Sequence, residues 1–142
     1  MFSESLIDHD TIQAFLETEY HVIGDPPFTL KIGEQNSALA AACKNSHAES
    51  SAFITACNPN SKVLDDFTNA DRQASLRRKL VERNLAFLEA EGKHPSSEWP
   101  GEASFFIFGI DLEAASDLSR RMQQDAFVWS GPGYVPQLIL LR

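Results

Sequence analysis

Apolar residues recur along this chain at two different spacings, and the change from one to the other predicts its elements. In "DHDTIQAFLETEY" Ile12, Phe15 and Leu16 fall at helical intervals behind Asp10, the expected N-cap. "YHVIGDPPFTLKI" reads as two short strands joined by the turn cluster Gly24, Asp25, Pro26 and Pro27. "GEQNSALAAACKNS" is a small-residue helix capped by Asn36 or Ser37. In "SAFITACNP" both alternating faces are apolar, Phe53 with Cys57 on one and Ala52, Ile54 and Ala56 on the other. A strand of that kind is covered on both sides and central in its sheet. Pro59 lacks an N–H and disfavours helical geometry at Asn58, so pairing is expected to stop there.

A helix is predicted from about Leu64 to Asn84, with Asp65 and Asp66 where the helix dipole favours acids. "AFLEAE" suits either a helix end or an edge strand, and "ASFFIFGI" is a second central strand. "DLEAASDLSRRMQQ" is a helix capped by Asp111, and "DAFVWSGPG" and "YVPQLILLR" are two strands around a Gly-Pro-Gly turn. From Ser51 onward this order is a split βαββαβ. The predicted fold is therefore α+β: a ferredoxin-like βαββαβ plait, a two-layer sandwich with two helices on one sheet face. Residues 1–50 add a helix–hairpin–helix extension and the last strand is extra. At 142 residues the chain is read as one domain, 1–142.

Charge and composition narrow the function classes. Twenty acids against twelve bases give a net charge of -8, which argues against non-specific nucleic acid and against an anionic membrane surface as partners. The one basic cluster, Arg77 to Lys79, reads as a solvated helix face. Cys43 and Cys57 lack metal-type spacing, and the four histidines lack paired spacing, so neither a metal nor a cofactor is expected. No signal peptide or membrane span is visible, and the chain reads as cytoplasmic.

The polar residues of interest gather around the corner "CNPNS". Asn58 ends a central strand and Asn60 precedes a helix start, where free N–H groups can receive an anion or a carbonyl. A plain Asx-type turn explains the same residues. Asn69 shares a helical stripe with Gln73, Leu76 and Leu80, and Arg72 borders it. Arg72 is expected to pair with an acid, among them Asp65, Asp66, Asp71 and Glu102. Glu102 is read as a rim charge, as that partner, or as a general acid or base raised by burial. Gln124 ends the last helix nearest the strand "AFVW", and Trp99 lies just ahead of Glu102.

The stretches "TEYHV", "FITACNPNS", "EWPGEASFFIFGI" and "QDAFVW", with Asn69 and Arg72, resemble a bacterial family of uncharacterised proteins, domain of unknown function 3293. The signature covers about Thr18 to Leu141 and implies "A-x-x-T-A-x-N-P-x-S" at the corner. On this chain those positions are Thr55, Ala56, Asn58, Pro59 and Ser61, followed by Asn69, Glu102, Gln124 and Trp129. Cys57 departs from the aromatic residue that the resemblance implies there, which weakens a catalytic thiol. The resemblance implies no activity. Two functions are carried forward. One is a binder of a small polar or anionic metabolite at Asn58, Asn60, Asn69, Arg72, Glu102 and Gln124, with or without catalysis. The other is a non-enzymatic interaction module, with "PQLILLR" as a dimer-forming strand and a second copy of the chain as partner.

Overall fold

The computed structural model describes residues 5–98 and 101–142. Its elements in chain order are α1 (His9–Glu17), β1 (Glu19–Val22), β2 (Phe28–Leu30), α2 (Ser37–Asn45), β3 (Ser51–Ile54), α3 (Asp66–Glu82), β4 (Phe87–Lys93), β5 (Glu102–Phe108), α4 (Leu112–Arg121), β6 (Ala126–Ser130) and β7 (Gln137–Leu140), with a 3-10 turn at Pro59–Ser61. The strands form one seven-stranded sheet in the order β2-β1-β4-β5-β3-β6-β7, and every neighbouring pair is antiparallel. The result is a mixed α+β fold.

β3 is central, as its two-sided apolar pattern predicts: all four of its residues are buried, and β5 and β6 flank it. On one face Ala52 and Ile54 pack with Phe105 and Ile107 of β5 beneath Leu76 and Leu80 of α3 and Ala115 and Leu118 of α4. On the other, Phe53 and Phe106 pack with Tyr20 and Val22 of β1 and with Leu39 and Cys43 of α2. Helices therefore lie over both faces, whereas a two-layer sandwich places them over one. The N-terminal hairpin joins the same sheet through β1, which pairs Glu19–Val22 with Lys93–Ala90 of β4. That pairing makes "AFLEAE" an interior strand and not a sheet edge or a helix end.

Other boundaries shift for local reasons. Asp8, not Asp10, stands at the cap of α1, because Ile12 N–H donates to the Asp8 carbonyl. α2 is capped by Asn36, whose side chain accepts from Leu39 N–H, and α4 by Asp111, whose side chain accepts from Ala114 N–H. α3 begins two residues later than expected, where Asp65 accepts from Thr68 N–H, and stops before Asn84, whose φ of 55° lies outside the helical region. Trp99 lies outside the described residues. Among the described residues no helix is long and apolar enough to cross a membrane.

Candidate functional site

β3 stops pairing at Ile54, five residues ahead of Pro59, so the proline is not what ends the ladder. Side chains take over from the neighbouring strands. Ala56 N–H donates to Gln73 Oε1 at 3.1 Å, Cys57 N–H to Thr55 Oγ1 at 3.0 Å, and Asn58 N–H to Asn69 Oδ1 at 2.9 Å. The carbonyls are met in the same way: Ala56 by Arg72 Nε at 2.7 Å and Cys57 by Gln124 Nε2 at 3.0 Å. Buried main-chain groups need partners, and here amides and a guanidinium on α3 and after α4 supply them.

Asn58 adopts the left-handed region (φ 48°, ψ 61°), which asparagine tolerates because its short amide bonds locally. Its Oδ1 accepts from Asn69 Nδ2 at 2.8 Å and from Leu64 N–H at 3.0 Å, while its Nδ2 donates to Glu102 Oε2 at 2.8 Å. Asn69 and Asn58 are therefore paired head to tail, and Glu102 is the third member. Pro59 fixes the chain for one residue, after which Asn60 and Ser61 also take positive φ values of 55° and 61°.

Glu102 opens β5 opposite Gly92 of β4, a position with no side chain to shield it. Burial pushes its carboxyl up to about 7, against a smaller downward pull from the Asn58 hydrogen bond. Among the described residues Asn58 is its one hydrogen-bond partner. Arg72 does not pair with it. The guanidinium reaches main-chain carbonyls instead, with Nε on Ala56 O past β3 and Nη2 on Met122 O at the end of α4 at 2.6 Å, because α3 places it beneath the corner and not beside β5.

Two cavities meet at this corner. The larger, 440 Å³, lies between α3 and the first half of β5, with Glu89 of β4 beside it; Asn58, Asn69, Gln73, Arg77, Glu89 and Glu102 form its polar wall. Val63, Leu64, Ala70, Ala74 and Phe105 form its apolar wall. The second, 390 Å³, lies against α1 and is lined by Phe15, Thr18, His94, Gln124 and Asp125 among others. Among the described residues Asn58 and Glu102 are the two common to both, so their hydrogen-bonded pair stands between them.

Of the six residues singled out in the sequence, Asn58, Asn69, Glu102 and Gln124 line one or both cavities. Arg72 and Asn60 line neither; Arg72 is spent on carbonyls, and Asn60 is exposed with its N–H on Gln123 O at 2.7 Å. Gln73 and Asp125 were missed. Gln73 carried a signal, since it lies one turn beyond Asn69 on the same stripe. Asp125 is 3% exposed and accepts from Ser61 Oγ at 2.6 Å and from Arg142 Nε. Burial pushes its carboxyl up, but those hydrogen bonds outweigh it and hold it below the usual carboxylate range. Burial also pushes the Cys57 thiol up, which does not suit a nucleophile. No group of three or more His, Cys, Asp or Glu among the described residues is placed to hold a metal ion.

Comparison with curated proteins and with solved structures finds no match. The model of a family described as a protein of unknown function, DUF3293, matches residues 54–127, from the last residue of β3 to the second residue of β6, and the chain belongs to that family.

Proposed function

We propose that the protein binds a small polar molecule at the Asn58–Glu102 corner. One observation carries the reading: a partly buried carboxyl, raised to about 7 and held by a single amide, stands at the junction of two cavities of 440 and 390 Å³. Cavities of this size with a few convergent polar groups are the usual form of a ligand site. The other amides at the corner are engaged with main chain and with each other, so recognition falls to Glu102 and its immediate neighbours. An anionic ligand is the less favoured case. The Arg72 guanidinium is occupied, and the larger cavity sets Asp66, Glu89 and Glu102 against Arg77.

Native mass spectrometry of the purified protein, followed by ligand-observed NMR, tests the reading. A retained small molecule, lost on Glu102→Leu and kept on Asn60→Ala, supports it. Retention unaffected by Glu102→Leu refutes it.

A second reading, a dimer-forming interaction module, has its own support. Among the described residues β7 is the last strand of the sheet and pairs on one side only, with β6, which offers its other edge to a second copy. Sedimentation equilibrium decides this: a monomer at micromolar concentration removes it. We further propose that residues 51–142 form a ferredoxin-like plait. The order β4-β5-β3-β6, all antiparallel, with α3 and α4 on one face, supports that assignment. Two free buried thiols, Cys43 and Cys57, suit a cytoplasmic setting.

A further inference from the structure

Helix α3 is apolar on two opposite sides. Its inward face carries Leu76 and Leu80, both fully buried. On its outward face Phe67, Ala70, Ala74 and Val81 are exposed, Phe67 to 85% and Val81 to 59%. Spacings of three, four and seven put these four on one stripe, about 21 Å long at 1.5 Å per residue. Arg77 holds the remaining place in that rhythm, and its guanidinium leaves the stripe to lie over the Phe87 ring of β4 at 5.2 Å. A surface helix ordinarily turns one apolar stripe to the core and a polar face to water. Scattered apolar residues on a surface need no partner, but residues repeating at coiled-coil intervals make a seam.

The charges beside the stripe decide what fits it. On its outward side α3 carries Asp66 and Asp71 before Ala74, and Arg77 and Arg78 after it, with Glu82 alone out of step at the helix end. Among the described residues Asp71 and Arg78 form no ion pair. A basic partner would meet Arg77 and Arg78 as like charges, and an acidic partner would meet Asp66 and Asp71. A parallel copy of α3 would set Asp71 beside Asp71 and Arg78 beside Arg78. An antiparallel copy brings each acidic half against a basic half.

We infer that α3 is a self-complementary interface, along which two copies of this chain pack antiparallel about a two-fold axis at Ala74. Residues equally far from Ala74 then oppose each other. Phe67 packs on Val81 of the second copy. Ala74 meets its own counterpart, where two methyl groups let the helix axes approach to about 8 Å. Asp71 and Arg78 flank the same side of the stripe, and the axis sets each against the other's counterpart. The contact is isologous, so every favourable pair occurs twice. This surface is distinct from the β7 edge and does not depend on a ligand at the corner. Ala70 and Ala74 also line the 440 Å³ cavity, so the second copy stands along one flank of its mouth. A single helix pair is small beside a standard interface of about 1,600 Å², and the dimer is expected to form at roughly 100 µM protein.

Sedimentation equilibrium of the intact protein, from well below to well above that concentration, tests the inference. Asp71→Arg and Arg78→Asp each turn two attractive pairs into two repulsive ones, and each is expected to weaken association about tenfold. Mixed in equal amounts, the two variants are expected to associate as tightly as wild type, since a flank of two arginines then meets a flank of two aspartates. Both positions are exposed, and an unchanged circular dichroism spectrum checks that the variants fold. Ala74→Cys is expected to be joined to its own counterpart by a short bis-maleimide, whereas wild type, whose Cys43 and Cys57 are buried, is not. Gln137→Cys on β7 is the control for an edge-to-edge dimer. A monomer at every concentration, or a dimer unchanged by Asp71→Arg, overturns the inference. So do reversed-charge variants that stay apart on mixing, and cross-links that form through Gln137→Cys alone.

Discussion

Asn58→Ala removes a side chain that ties three segments together, and its cost follows from the hydrogen bonds at the corner. The asparagine side chain makes three of them: from Leu64 N–H, from Asn69 Nδ2 and to Glu102 Oε2. Each is worth about 1 kcal/mol net, and alanine at φ 48° adds about 1 kcal/mol of left-handed backbone cost. The expected loss is about 4 kcal/mol, a large share of the roughly 5–15 kcal/mol that holds a domain of this size. At about 3 °C per kcal/mol the melting temperature falls by roughly 12 °C. Asn58→Asp separates the two sides of the residue. It keeps both acceptor bonds but sets a carboxylate against Glu102. At pH 5 the protonated Glu102 donates to it; at pH 8 the two charges repel. Urea unfolding followed by circular dichroism at both pH values is the assay. A loss below about 1 kcal/mol for alanine, or an aspartate variant equally stable relative to wild type at pH 5 and pH 8, refutes the view that this amide holds the corner.

Three further outcomes follow from the same geometry. Glu102 is raised from an ordinary 4.5 to about 7, so its protonated form stabilises the fold fully below 4.5 and this is lost as pH rises to 7; 7 − 4.5 = 2.5 gives up to about 3 kcal/mol, and Glu102→Gln should unfold at higher urea than wild type at pH 8 but not at pH 4. Arg72→Lys should lose about 2 kcal/mol by urea titration, since a lysine ammonium cannot reproduce the fork onto Ala56 O and Met122 O; a neutral outcome would show that those carbonyls do not need it. Asp125 is depressed, so it stabilises the fold above its unfolded value of 3.8 and loses this as pH falls; Arg142→Ala should move the acid-unfolding midpoint to higher pH, and an unchanged midpoint counts against the Arg142–Asp125 pair.

How far the sequence could carry this picture depends on what each residue answers to. The two-sided apolar pattern of β3 and β5 reports a local fact, burial on both faces, and it placed both strands at the centre of the sheet. "AFLEAE" stayed ambiguous because Ala86, Phe87 and Leu88 satisfy helix and strand spacing alike; the arrival of β1 from a distant part of the chain decides it. Asn58, Asn69 and Glu102 were legible because polar residues at a strand end or on an inward stripe must find partners. The identity of those partners was not legible. Arg72 was expected on an acid, since charges pair by type in a sequence, yet in three dimensions the nearer need is that of two main-chain carbonyls, Ala56 O just past β3 and Met122 O at the C-terminal end of α4. The abrupt end of β3 has the same cause. Three consecutive main-chain N–H groups past Ile54 turn to side chains of Gln73, Thr55 and Asn69, and two carbonyls to Arg72 and Gln124. Neighbouring strands are thereby excluded from the corner, and exclusion leaves the space beside it open. Amides that look like recognition groups in the sequence are thus the frame of the opening. The group with capacity to spare at the opening, the Glu102 carboxyl, is the one the frame does not consume.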